Sequence, residues 1–129
     1  MGLLETKNSM AKAKQFNLID KEFSEIDNEW QWTYLCLSEF VLNQKKITKI
    51  TITDHYQLAH KDVMTNEKIL EILLRLDGEI IKAEPKKKPN WPDVFVPKGI
   101  DYQSKKHLLV FWFERNSDDW IWVKNCYPD

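Results

Sequence analysis

The longest regular pattern of apolar residues lies in the first half of the chain. Over residues 20–43, apolar side chains recur at steps of three or four: Phe23, Ile26, Trp30, Tyr34, Leu37 and Val41. This spacing places them along one face of an α-helix, and Asp20 can cap its N-terminus. We therefore expect a helix over 20–43 whose broad apolar face packs on a sheet.

Alternation replaces the helical period near residue 50. Ile50 and Ile52 alternate with Thr51 and Thr53, which is typical of a β-strand. Thr65 can cap a second helix that contains several leucines and ends near Gly78. Further extended segments are expected at 79–84, 100–103, 107–114 and 120–127. Three prolines within 85–92 predict a loop before the last three strands.

These elements predict an α+β fold in one domain. N-terminal helices would pack on one face of a mainly antiparallel sheet of four to five strands, because consecutive strands are joined by short connections. The polar, lysine-rich residues 1–18 are expected to form a flexible or weakly helical leader, and 19–129 the domain. The hydrophobic share of 43% and the charged share of 30% fit a soluble globular protein.

Composition narrows the classes of partner and the compartment. The net charge of -1 gives no general electrostatic attraction to nucleic acid or anionic membranes. The start of the chain lacks a signal-peptide core and no apolar run could span a bilayer, so we expect a cytoplasmic protein without a membrane partner. Cys36 and Cys126 have no paired spacing and are expected to be free thiols. We expect no metal and no cofactor.

A few polar and aromatic residues could form a site. His55 lies where a predicted strand meets a helical turn, a position suited to proton transfer. Tyr102 and Tyr127 lie at strand ends, where hydroxyl groups stay accessible. A lysine run beside an aromatic ring can hold single-stranded RNA, and the proline-rich loop has this combination: Lys86, Lys87, Lys88 and Trp91. Each of these residues also has a purely structural interpretation, as a half-buried or solvated side chain.

Tryptophans of the last two predicted strands form a second feature. Trp112, Trp120 and Trp122 could form an aromatic stripe on the sheet, either as core or as a face that a helix or partner covers. Two acidic clusters could contact a basic partner protein, one at Asp27 and Glu29 and the other at Asp118 and Asp119.

A resemblance to a known class extends over about residues 47–128. The segments are the strand ending in Thr53-Asp54-His55, the helix after Met64-Thr65, Gly78-Glu79-Ile80, and the later strands up to Tyr127-Pro128. Their order resembles the small nuclease and toxin-type domains of the barnase–EndoU–colicin–RelE class. The arginine often found after the histidine in that class is absent here, and His60-Lys61 stands near its place.

Two functions follow from this resemblance. In the first, the protein is a metal-independent ribonuclease of a toxin, phage or mobile element, which cleaves RNA by attack of the 2′-hydroxyl. The resemblance then makes His55 the base or acid, Lys61 a phosphate partner, and Tyr102 or Tyr127 an acid or orienting group. In the second, the same fold binds a protein without catalysis, as an antitoxin, an immunity protein or a phage inhibitor of a host protein. The partner is accordingly RNA or a protein.

Overall fold

The computed structural model describes residues 15–129. Within this range the chain forms eight strands, one 3-10 turn and two short α-helices. The strands are β1 (Phe16–Ser24), β2 (Glu29–Cys36), β3 (Val41–Leu42), β4 (Lys45–Lys46), β5 (Lys49–Thr53), β6 (Ile100–Tyr102), β7 (Lys105–Phe113) and β8 (Trp120–Pro128). After β5 come the 3-10 turn (Asp54–Tyr56), α1 (Gln57–His60) and α2 (Asn66–Leu74).

Six of these strands form one mixed sheet in the order β1-β2-β5-β8-β7-β6. Neighbours run antiparallel except β5 and β8, which pair in parallel with Ile50 opposite Ile121. Strands β3 and β4 form a separate hairpin. The prediction of an α+β fold with N-terminal helices on a mainly antiparallel sheet is therefore wrong: the described chain is mostly β-structure.

The hydrophobic core lies between α2 and one face of the six-stranded sheet, which we call the core face. Helix α2 contributes Ile69, Leu70, Ile72 and Leu73. The sheet contributes alternate residues of its central strands, among them Ile50, Ile52, Leu109, Phe111, Ile121 and Val123, none of which is exposed. The opposite parity points to the other face, called the outer face below.

The predicted helix over 20–43 is replaced by the β1–β2 hairpin. The two strands pair from Phe16 opposite Cys36 to Ser24 opposite Glu29. Ile26, which the helical pattern placed on the buried face, lies in the connecting turn and is 97% exposed. Trp30 is 41% exposed and packs edge-on against Phe23, with ring centroids 5.5 Å apart.

The turn between β1 and β2 explains this outcome. Asn28 adopts a φ of 53°, a left-handed conformation that asparagine accepts more readily than most residues. The Ser24 hydroxyl accepts a hydrogen bond from the Asp27 amide at 3.2 Å and so closes the turn. The strand that follows contains three aromatic residues and a threonine, which favour extended structure. Residues 15–18 of the predicted leader include the start of β1, whereas its residues 1–14 lie outside the described range.

The segment 79–84 is not the strand that its sequence suggests. Its backbone is held instead by the β3–β4 hairpin. The Asn43 side chain accepts a hydrogen bond from the Ile81 amide at 2.6 Å and donates one to the Ile81 carbonyl at 3.1 Å. The Asn43 amide bonds the Glu79 carbonyl at 3.0 Å. These partners satisfy groups that a sheet neighbour would otherwise take.

The later elements agree with their sequence signals. Strands β5, β7 and β8 lie within two residues of the predicted bounds. The Thr65 side chain accepts a hydrogen bond from the Lys68 amide at 3.2 Å, which is the predicted N-cap of α2. Both two-residue hairpin loops, at 43–44 and 103–104, have positive φ at both positions, as the right-handed twist of hairpins favours.

Asp119 connects the β7–β8 turn to the start of β5. Its carboxylate accepts hydrogen bonds of 2.7 Å from the Thr48 hydroxyl and 2.7 Å from the Ser117 hydroxyl. Its backbone carbonyl accepts the Thr48 and Lys49 amides at 2.8 and 3.1 Å. The side-chain hydrogen bonds from Thr48 and Ser117 hold the pKa of Asp119 below its ordinary value of 3.8.

Acid should therefore weaken the fold in part through Asp119. The unfolded chain takes up this proton at a higher pH than the folded chain, so the stabilisation is complete above pH 3.8 and disappears as the pH falls through the lowered folded pKa. In urea titrations between pH 6 and pH 2, Asp119→Asn should lose less stability on acidification than the parent. Asp118→Asn is the control, because the Asp118 side chain is 90% exposed. Equal profiles for Asp119→Asn and the parent would contradict this role.

Candidate functional site

The four residues predicted to act on RNA lie on separate elements. His55 is in the 3-10 turn after β5, and Lys61 is exposed just after α1. Tyr102 lies on edge strand β6 and Tyr127 on β8, with β7 between them. In residues 15–129, no hydrogen bond, ion pair or ring contact joins any two of the four side chains. Their roles in catalysis therefore stay predictions, and no direct contact among the four side chains supports them.

One of the four, Tyr127, contacts a histidine outside this set. The His60 ring stacks on Tyr127, with centroids 4.5 Å apart and an interplanar angle of 15°. An imidazole and a phenol are both groups that can exchange protons with a ligand, so this pair is a candidate for acid–base chemistry. Local sequence does not indicate this contact, because the stack depends on where β8 ends relative to α1.

The proline-rich loop leaves its predicted RNA-binding residues near the surface. Lys88 lies over the Trp91 ring, 5.7 Å from the centroid, and Trp91 is 47% exposed. Lys86 pairs with Asp93 at 3.1 Å, while Lys87 is exposed. One of the three lysines is thus neutralised within the loop, which lowers the charge available for phosphates.

The tryptophan stripe exists, and it lies on the outer face of the sheet. Trp112 pairs opposite Trp122, and Trp120 stacks on Trp122 with centroids 5.7 Å apart. We call these three residues the tryptophan face. All three are only partly buried, and α2 lies on the other side of the sheet. The rings therefore do not belong to the hydrophobic core.

Polar contacts orient the tryptophan face. Trp120 Nε1 donates a hydrogen bond of 2.9 Å to the Thr51 hydroxyl, which is 2.8 Å from the Thr33 hydroxyl. Lys49 Nζ lies 4.0 Å from the centre of the Trp120 ring. Trp122 Nε1 is buried and has no hydrogen-bond partner in the described chain. Because an unpaired buried N–H costs free energy, the fold gains nothing from an indole nitrogen at this position.

Charges on the outer face are unevenly distributed. Lys124 lies 3.8 Å from Glu29, so this lysine is already paired. On the neighbouring edge strand, Asp20 and Glu22 pair opposite Thr33 and Gln31 and therefore share the outer face. Both are exposed, and neither forms an ion pair within residues 15–129. The prediction of a helix over 20–43 did not place Asp20 and Glu22 together on a sheet face.

The two acidic clusters predicted to engage a basic partner are far apart. Asp27 lies in the β1–β2 turn, at the end of the sheet where β5 finishes, and Asp118 lies in the β7–β8 turn, where β5 begins. Asp27 bonds Ser24 and Gln31, and Lys45 lies 3.8 Å from Asp118. They cannot form one acidic surface.

A cleft of about 860 Å³ opens on the side of α2, away from the tryptophan face. Its walls come from the start of β1, from β2, from α2 and from the β6–β7 turn, so residues near both edges of the sheet meet beside the helix. The lining residues are Gln15, Phe16, Tyr34, Glu67, Leu70, Glu71, Leu74, Arg75, Tyr102 and Gln103. This volume is in the range of small-ligand sites.

A hydrogen-bond network fixes the tyrosine on one wall of the cleft. The Tyr56 hydroxyl donates to Asn66 Oδ1 at 2.7 Å, and Asn66 Nδ2 donates to the Tyr34 hydroxyl at 3.2 Å. The proton of the Tyr34 hydroxyl has no acceptor in the described chain. Burial raises the pKa of Tyr34, so its hydroxyl remains a donor.

Both cysteines are free thiols, as predicted. Burial raises the pKa of Cys36 to about 11 and that of Cys126 to about 12, which makes both poor nucleophiles at neutral pH. In residues 15–129 no three His, Cys, Asp or Glu side chains gather as metal ligands would. None of the helices in this range has the length and apolar character needed to cross a bilayer.

Comparison with known proteins finds no matching family model, no similar curated protein and no similar solved structure.

Proposed function

We propose that the protein is a non-catalytic binding module that contacts another protein through the tryptophan face. The observation that carries this proposal is the group of three partly exposed indole rings on a sheet face that α2 does not cover. Tryptophan is the residue type most enriched among the strong contributors to protein interfaces, because it buries a large area at little entropic cost.

The charges around the face favour a protein over RNA. RNA affinity depends on lysine and arginine side chains that are free to neutralise phosphates. On this face Lys124 is paired with Glu29, and Lys49 lies over Trp120. The carboxylates of Asp20 and Glu22, on the edge strand of the same outer face, would repel a phosphate backbone. They suit a partner that has an apolar centre bordered on one side by basic side chains.

Site-specific cross-linking in the producing cells tests this function. A photoreactive amino acid at position 35, on the outer face opposite Lys49, should give one protein adduct. The same group at position 58, on α1 where Leu58 is 81% exposed, should give none. Trp120→Ala should weaken the apparent affinity for the cross-linked partner at least about 30-fold, as loss of a central interface tryptophan does. Asp20→Lys with Glu22→Lys provides a second variant on an exposed strand that leaves the core untouched.

The other outcomes would contradict the proposal. A nuclease-sensitive adduct would indicate an RNA partner, and an adduct containing only two copies of this chain would indicate self-association. The ribonuclease alternative is favoured by one contact, the stack of His60 on Tyr127. Cleavage of RNA by the purified protein, lost about 100-fold or more in His60→Ala or His55→Ala, would establish that alternative instead.

A further inference from the structure

We propose that the cleft beside α2 binds a basic amino acid, lysine or arginine, either free or as a residue of a peptide. The inference does not depend on the tryptophan face, because the two surfaces lie on opposite sides of the sheet. It rests on the kinds of group that the cleft brings together: two carboxylates, an apolar floor, a tyrosine donor and an arginine.

The two carboxylates would bind the positively charged group of the ligand. Glu67 and Glu71 are one turn apart on α2 and line the same cleft, so like charges face each other across the i, i+4 spacing. Neither forms an ion pair within residues 15–129. Glu71 accepts a hydrogen bond from the Tyr102 hydroxyl, which fixes one oxygen and leaves the other available. The first-turn position of Glu67 suits the helix dipole, but Glu71 in mid-helix has no such explanation.

The stem of the ligand has an apolar surface to lie on. Leu70 is 4% exposed, and Leu74 and Phe16 pack against the core beside it. Lysine and arginine carry aliphatic stems that pack on such surfaces while the charged end reaches a polar group. A small inorganic cation would leave this part of the cleft unused.

The part of the cleft at the C-terminal end of α2 contains a donor for an oxygen atom of the ligand. Arg75 follows Glu71 by one helical turn, about 6 Å along the axis, and it lies over the Tyr102 ring at 5.9 Å without a carboxylate partner in the described chain. Arg75 fits a carboxylate or a peptide carbonyl. Its rise of about 6 Å from Glu71 is within the reach of an extended lysine or arginine side chain. The Tyr34 hydroxyl, whose proton also lacks an acceptor in the described chain, lies beside Asn66 at the other end of α2 and offers a second donor there.

Binding can be measured by NMR titration of the ¹⁵N-labelled protein with four probes. L-Arginine and N-acetyl-L-arginine methylamide should each give saturable shifts in α2 and β6. Whichever of the two binds more tightly identifies the free amino acid or the peptide residue as the source. L-Citrulline, which has the same shape without the charge, should bind at least about 10-fold more weakly than L-arginine, as should agmatine, which lacks the carboxylate.

Variants assign the effect to the cleft. Glu71→Gln keeps an acceptor for Tyr102 and removes the charge, so together with Glu67→Gln it should weaken binding of L-arginine at least about 10-fold. Glu25→Gln makes the same chemical change in the exposed β1–β2 turn and should leave the affinity unchanged. Absence of saturable shifts, equal binding of citrulline or agmatine, or unchanged binding by the double variant would each overturn the inference.

Discussion

Replacing Phe111 with alanine is expected to lower the free energy of unfolding by about 3–5 kcal/mol. Phe111 is fully buried and stacks on Phe95 with ring centroids 5.1 Å apart. Its backbone also exchanges two hydrogen bonds with Phe95, at 2.9 and 3.0 Å, which attach the proline-rich loop to β7. Loss of the ring leaves a cavity and loosens this attachment. Urea denaturation of the variant and the parent measures the difference.

Trp30→Ala is the matched control for this prediction. A helix over 20–43 would bury Trp30, and its loss would then destabilise as strongly as that of Phe111. The hairpin leaves Trp30 41% exposed, in contact with Phe23 and with Lys21 5.1 Å from its ring. We therefore expect a loss of about 1 kcal/mol or less. A loss for Trp30→Ala as large as that for Phe111→Ala would contradict the strand assignment.

The sequence predicted those elements whose local signals agree with their burial. In β5, the run of β-branched residues from Ile50 to Thr53 favours a strand, and Ile50 and Thr51, on its two faces, are both nearly inaccessible. In α2, the Thr65 cap and the leucine spacing indicate the same helix. Local pattern is sufficient where every signal favours one structure.

The N-terminal hairpin could not be predicted in this way because two periods coexist in its sequence. Phe23, Trp30 and Tyr34 fit a helical face, but Trp30, Trp32 and Tyr34 equally fit alternate positions of a strand. The prediction of a helix assumed that every apolar residue of this segment is buried. In the structure Phe23 and Trp30 are exposed at the end of the sheet, so this assumption does not hold. The Asp27-Asn28 turn would have been the deciding signal.

The candidate sites divide along the same line. The tryptophan face depends on two neighbouring strands, and residue parity indicated a stripe of rings without deciding whether the stripe belonged to the core. The cleft depends on Tyr34 and Tyr102, which lie far apart in the chain. They line the same cleft only because α2 packs across the sheet between them. The acidic side of the outer face, at Asp20 and Glu22, required the correct strand assignment first. Contacts of this kind follow from topology rather than from local sequence.

Replacing Asn43 with alanine is expected to lower the free energy of unfolding by about 2–4 kcal/mol. The change removes two hydrogen bonds to Ile81, each worth about 1 kcal/mol net. Alanine also lacks the local hydrogen bonding that helps asparagine to adopt a φ of 54°, so part of the left-handed penalty of roughly 1–2 kcal/mol for a residue with a β-carbon is added by the change. Since these bonds hold segment 79–81 in place, the amide of Ile81 should lose hydrogen-exchange protection before the core strands do.

Asn43→Gly separates the two contributions, because glycine adopts positive φ without strain while lacking the side-chain bonds. We expect it to lose only about 1–2 kcal/mol, less than alanine, with the same loss of protection at Ile81. If alanine and glycine destabilise equally, the left-handed backbone contributes nothing. If neither changes the exchange of Ile81, the hydrogen bonds from Asn43 are not what keeps this segment out of the sheet. Segment 79–84 would then stay out of the sheet because of its own residues, rather than because the Asn43 side chain holds it.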